Sequence, residues 1–178
     1  MGFLMILIIN IAFFSGVVLK FNNPIEIIEY VLLGIVLIIS AFTDIESMDI
    51  YVEINIFAGI IAIIINLLCK GSIFYMLIGF LIGFLPMFVL SFFGAVGQGD
   101  AYLLAMIGVF LGWKLTLLTL FLSVVIGGIG AAILLFVFKY DRKKHIAFGP
   151  YICFAAVLAL FWGQHIINWY LNYAGISL

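Results

Sequence analysis

Charge is scarce in this chain: only 8% of its 178 residues are Asp, Glu, Lys or Arg, against about a quarter in an average soluble domain. That leaves too little polar surface to cover a globule, which excludes a soluble enzyme. It also excludes disorder, which requires low hydrophobicity and high charge. No basic stripe offsets the acids. The formal net charge is -1, so nucleic acid is not an expected partner. Cysteine is nearly absent as well. Cys69 and Cys153 stand alone with no C-x-x-C pair, which argues against a disulfide framework or a zinc site and leaves two small packing residues. No basic residue precedes the apolar stretch 2–19 and no small-x-small site interrupts it, so it reads as a retained first span rather than a secretory signal.

What is present is hydrocarbon: 68% of the residues are apolar. A membrane crossing needs about 20 such residues, and charged and turn residues cut the chain into roughly seven candidate spans of that kind, 3–19, 27–43, 54–69, 73–93, 102–112, 115–138 and 150–171. The fifth is short by this yardstick. None alternates with period two, so they are helices, since an extended sheet survives in lipid only as a closed barrel. The expected fold is all-α: a polytopic transmembrane bundle of roughly six to seven spans, forming a single membrane-embedded domain over residues 1–178. Asn22-Asn23-Pro24 and Lys70-Gly71-Ser72 read as turns, and Pro150 stands in a first helical turn, where proline is tolerated. Pro86 falls inside the fourth span and is expected to kink it. Gly79 and Gly83, and Gly127, Gly128 and Gly130, are expected to serve close helix packing.

Two crossings separate the acidic segment 44–53 from Gly97-Gln98-Gly99-Asp100, and two more separate that from the basic cluster Lys139, Arg142, Lys143 and Lys144. An even number of crossings returns to the same side, so all three share one face, which the basic cluster marks as cytoplasmic. Asp44 closes the second span and Asp100 opens the fifth. Ionisable groups at the edge of hydrocarbon are rare and usually functional, although either one alone reads equally well as a helix-end residue, Asp100 favouring a helix N-terminus through the dipole. Together they say more. Two carboxylates that meet cannot both ionise easily and share a proton, so one can activate water while its protonated partner polarises a carbonyl, as in aspartic proteases. Gly97 and Gly99 leave a side-chain-free approach to Asp100.

These residues closely resemble a known family. Gly97-Gln98-Gly99-Asp100, followed by Leu103-Leu104-Ala105-Met106-Ile107-Gly108-Val109-Phe110-Leu111-Gly112, resembles the GxGD segment of type IV prepilin peptidases. Asp44 with Ile50 six residues on resembles the family's first aspartate motif, and Phe148-Gly149-Pro150 resembles its C-terminal Phe-Gly-Pro motif. The resemblance implies an intramembrane aspartic endopeptidase with Asp44 and Asp100 as catalytic pair and Gly97, Gly99, Phe148, Gly149 and Pro150 as motif support. It implies no metal and no cofactor. The implied substrates are prepilins or pseudopilins, whose short basic leader is cut ahead of an apolar helix at the cytoplasmic edge of the cell membrane, typically after a glycine. Tyr51, Tyr102 and Ala147 depart from the family's usual proline, lysine and proline. The cytoplasmic domain with two C-x-x-C pairs, associated in bifunctional members with N-methylation, has no counterpart here, so the chain resembles the short, peptidase-only form.

The family spacing selects Asp44 over Asp49, which reads as a solvated loop charge. Glu46, Asp49 and Glu53 form an acidic stretch beside Asp44, either a hydrated rim or a contact for a basic leader. His145 and His165 lack a second ligand at helical spacing. Asn66, Gln98, Gln164 and Asn168 are expected to make interhelical or interfacial hydrogen bonds. The alternative function is a small proton- or cation-coupled transporter using the same two aspartates. That reading favours an inverted repeat with interrupted helices at mid-membrane, and no clear repeat is visible.

Overall fold

A computed structural model describes residues 2–69, 73–94, 96–136 and 147–175. Among the described residues all regular structure is helical: α1 (Gly2–Lys20), α2 (Pro24–Ser47), α3 (Val52–Cys69), α4 (Ile73–Phe92), α5 (Gln98–Phe136) and α6 (Gly149–Tyr173). α2, α4, α5 and α6 each contain a stretch long and apolar enough to cross a membrane, and α1 and α3 contribute shorter apolar stretches. Large apolar side chains such as Leu68, Phe74 and Phe92 point outward, as they must on a surface solvated by lipid. The chain is a multi-pass helical membrane protein. The basic cluster Lys139, Arg142, Lys143 and Lys144, His145 and the turn Lys70-Gly71-Ser72 lie outside the described residues.

Local chemistry sets the ends of α2. The Asn23 side chain accepts from the Ile25 N–H at 3.1 Å, Pro24 takes the first helical position, and Glu26 stands in the first turn. At the other end Met48 adopts the left-handed conformation (φ 54) and donates its N–H to the Asp44 carbonyl at 3.0 Å. This bend ends the helix and starts the short connection, Asp49 to Tyr51, that enters α3. α4 continues through Pro86.

α5 spans 39 residues without being straight. Gly112 has φ 71 and ψ 175, a region essentially reserved for glycine, and the Tyr75 ring fills the place of a Cβ there, 1.7 Å away. The chain reverses at this residue. A Cβ on Gly99 would meet Ile50 at 2.8 Å, one on Gly149 would meet the same isoleucine at 3.0 Å, and one on Gly127 would meet the ring of the adjacent Phe148 at 2.5 Å. Residues 99 and 127 therefore share one end of the bundle, whereas a straight helix would hold them about 42 Å apart at 1.5 Å per residue. α5 is a hairpin with a first arm, 98–111, and a second, 113–136. These arms are the fifth and sixth expected spans; the fifth, whose short run 102–112 reads either as a partial span or as one beginning further back around residue 95, is helical from Gln98.

The first arm is buried on every side from Leu103 to Gly112, so it forms the centre of the bundle. α4 lies antiparallel against it, backbone to backbone. Cβ atoms on Gly79 and Gly108 would each stand 2.2 Å from the other's carbonyl oxygen, and one on Gly83 would stand 2.3 Å from the Leu104 oxygen. The second arm packs antiparallel on α6, with Gly127 under Phe148, Gly130 under Tyr151 and Gly163 under Leu115. Gly128 departs from expectation: nothing lies within 4 Å of its Cβ position, so it serves no close contact. At the far end Lys20 donates to the carbonyls of Leu160 and Phe161. There too Asn66 donates to the fully buried Glu29 at 2.7 Å, joining α3 to α2 with an interhelical bond.

Candidate active site

Asp44 stands one turn before the end of α2, 6% exposed. Its Oδ2 accepts the Gly149 N–H at 2.7 Å, the first N–H of α6, so the carboxylate lies at a helix N-terminus, where free donors and the dipole favour an anion. That contact explains Phe148-Gly149-Pro150 physically. Phe148 wedges its ring over Gly127. Gly149 has no Cβ because one would sit 2.7 Å from Asp44 Oδ2. Pro150 holds the first turn without needing an N–H of its own.

Asp100 occupies the first turn of α5 and is 4% exposed. Its Oδ2 reaches back to accept the Gly97 N–H at 3.1 Å, half of a capping box. The helix-end reading is thus correct for one oxygen of each carboxylate. It does not account for Asp100 Oδ1, which is buried with no hydrogen-bond partner, an exception that calls for an explanation.

Ile50 ties the two acids together. It is 4% exposed and lodges between Gly99, which precedes Asp100, and Gly149, which holds Asp44. Cys153, one turn further along α6, is buried behind this end of the bundle. Gly97 and Gln98 are exposed at the opening, and so are Glu46, Asp49 and Glu53. The structure therefore brings Asp44, Asp100, Gly97, Gly99, Phe148, Gly149 and Pro150 to one end of the bundle, with the acidic trio on the adjoining surface.

The family described as type IV leader peptidase matches residues 31–132, a stretch holding both aspartates and ending before Phe148. A Bacillus subtilis protein named prepilin leader peptidase/N-methyltransferase is 31% identical over 170 residues, covering 94% of this chain and 68% of its own. The chain belongs to the type IV leader peptidase family. Proteins of the same name from Legionella pneumophila and Pseudomonas aeruginosa are 40% identical over 78 and 82 residues, 44% and 46% of this chain. Those matches cover only 27% and 28% of the relatives' own lengths. No solved structure matches the chain.

For this leader peptidase family member, sequence reasoning missed three buried polar or packing groups. Ile50 entered it only as part of a motif, and its place between two glycines is a tertiary fact. Glu29 was one charge among eight acids, and only the fold shows it fully buried. Asn55, 1% exposed, passed unnoticed, although Asn55, Ala58, Ala62 and Asn66 draw a small and polar stripe along one face of an otherwise bulky helix, which is a legible signal of a buried face.

Proposed function

We propose that this protein is an aspartic endopeptidase that removes the basic leader of type IV prepilins or pseudopilins, with Asp44 and Asp100 as the catalytic pair. The observation that carries this reading is the unpartnered, buried Oδ1 of Asp100 beside a second buried carboxylate. Gly149 and Gly97 each hold one oxygen of an aspartate from the backbone, and Asp100 Oδ1 is left over for a water or a substrate carbonyl.

In the reaction one carboxylate takes a proton from water as its oxygen attacks the scissile carbonyl carbon. The other carboxyl gives its proton to the carbonyl oxygen. The resulting gem-diol collapses: one hydroxyl returns its proton to the second carboxylate as the carbonyl re-forms, the C–N bond breaks, and the departing amine takes the proton first removed from the water. The chemistry asks for no metal, cofactor or covalent intermediate. Substrates carry Lys or Arg just before the cut and an apolar helix after it, so the bilayer presents them at the membrane edge. The positive-inside bias of Lys139, Arg142, Lys143 and Lys144 supports a cytoplasmic site in the cell membrane.

The test is cleavage of a co-expressed prepilin. Asp44→Asn and Asp100→Asn preserve shape and are each expected to lower the rate by about 10²–10⁴-fold, the usual worth of a positioned acid or base. Asp49→Asn cuts normally. Robust cleavage by either of the first two variants would remove the pair from the mechanism.

A further inference from the structure

α3 and the first arm of α5 enclose, with Phe80 of α4, a cavity of about 160 Å³. From α3 it is lined by Asn55, Gly59 and Ile63, one residue per turn, and from α5 by Tyr102 and Met106. Gly59 leaves a notch, since a Cβ there would meet nothing within 4 Å. Ile63 and Phe80 are 39% and 37% exposed, so the cavity opens sideways to lipid rather than to water.

Its wall is almost wholly apolar, and the two lining side chains that carry polar atoms are Tyr102 and Asn55. Asn55 is fully buried, and its Nδ2 donates to the Tyr51 carbonyl at 3.1 Å, which fixes which way the amide faces. Its Oδ1 then has no partner, and a buried acceptor of this kind is costly unless a donor reaches it. Inside hydrocarbon such donors are few. The N–H groups of a helix are satisfied within it, apart from those of its first turn. Asn55 stands five residues beyond Ile50 and Tyr102 two beyond Asp100, so the orphan oxygen lies about one helical turn inside the membrane from the carboxylates. A helix beginning just after a bond held at those carboxylates would present its open first turn at that depth.

We propose that Asn55 is a positioning residue that caps the substrate's apolar helix in trans. Its Oδ1 accepts one first-turn N–H, and the cavity beside it takes the apolar side chains of that turn. Asparagine is among the best helix-capping residues, and the cap holds the start of the substrate helix against the cavity, which adds to binding. The inference rests on the leader peptidase reading above.

The test uses the full chain in vesicles with a substrate made of a Lys-containing leader ending in glycine, followed by an apolar helix. Asn55→Ala is expected to raise KM about tenfold while kcat stays within twofold. The substrate is then varied by placing proline at each of its first four helical positions in turn, which removes one N–H at positions that tolerate proline. At one position the wild type loses about tenfold and Asn55→Ala loses nothing more, a coupling that a merely structural role would not produce. Should Asn55→Ala fail to accumulate, Asn55→Ser withdraws the oxygen from the cavity and reads the same coupling. Unchanged KM in the variant, or additive losses at all four positions, overturns the proposal and leaves Asn55 as a residue satisfied by water. Wild-type protein that does not cleave the unmodified substrate overturns the peptidase reading and this inference with it. Cleavage that is indifferent to Asn55 overturns only the inference.

Discussion

Replacing Gly149 with alanine separates chemistry from stability. The new methyl group would stand 2.7 Å from Asp44 Oδ2, 3.1 Å from Asp44 Cγ and 3.0 Å from Ile50 Cδ1. Relaxed contacts involving carbon lie nearer 3.5 Å, so the carboxylate has to recede by roughly 0.5–1 Å. The 2.7 Å bond from the Gly149 N–H is then lost. Overpacking of this size costs about 1–3 kcal/mol, while alanine in place of glycine in a helix returns about 0.5–1 kcal/mol. Net destabilisation is thus modest, about 0–2.5 kcal/mol by that difference. Catalysis is far less tolerant, because a misplacement near 1 Å is enough to cost about a hundredfold. The expected outcome for Gly149→Ala is protein that accumulates and melts near the wild-type temperature yet cleaves prepilin about a hundredfold more slowly. Gly128→Ala is the matched control: its Cβ meets nothing within 4 Å, so activity stays intact and helix propensity gains slightly. Wild-type cleavage by Gly149→Ala, or equal losses in both variants, would refute the reasoning that Asp44 is held at the start of α6 for catalysis.

Gly112→Ala should prevent folding, because its φ of 71 with ψ 175 is closed to alanine and its Cβ would lie 1.7 Å from the Tyr75 ring. The measure is the yield of monodisperse protein in detergent, and an abundant, active variant would contradict the hairpin in α5. The combined variant Glu46→Gln, Asp49→Asn and Glu53→Gln should raise KM for a basic-leader substrate several-fold at low salt and leave kcat intact. Each exposed pair is worth at most about 1 kcal/mol and is screened by ions, so the difference should vanish at high salt. An unchanged KM at low salt would reduce the acidic trio to a solvated loop.

Much of the fold was legible because lipid simplifies the code. Length of apolar run, interrupted by charge and Gly or Pro, located every helix, and counting crossings brought the residue 44–53 and 97–100 segments to one face. Gly79 and Gly83 of α4, and Gly127 and Gly130 of the second arm of α5, were readable as contacts, since closely spaced small residues rarely have another use in hydrocarbon. Gly112 was not readable as a hinge. A glycine before Trp113 and Lys114 looks like an ordinary boundary, and its reversal depends on the Tyr75 ring, 37 residues earlier. Gly128 misled for the opposite reason, because its neighbours pack closely and it faces the other way. Within the site, the aspartates and glycines stood out as rare groups in an apolar chain. The partners of those aspartates did not, because a backbone N–H such as that of Gly149 carries no sequence signature.

The first arm of α5 is short for its surroundings. Residues 98–111 rise about 21 Å at 1.5 Å per residue, while the hydrocarbon slab is about 30 Å thick. Anchored at the far side by the Gly112 turn, the arm ends before the near side of the slab is reached. Because its neighbours enclose this arm, the space above its end is bounded by protein rather than lipid, and such a space inside a helical bundle can hold water. Here the helix end is Gly97-Gln98, exposed and next to Asp100. Under the proposed function, a hydrolytic centre embedded in lipid faces a supply problem, since its co-substrate is water. A truncated central helix ringed by longer ones would answer it with a wet recess leading from the exposed Gly97-Gln98 to the carboxylates.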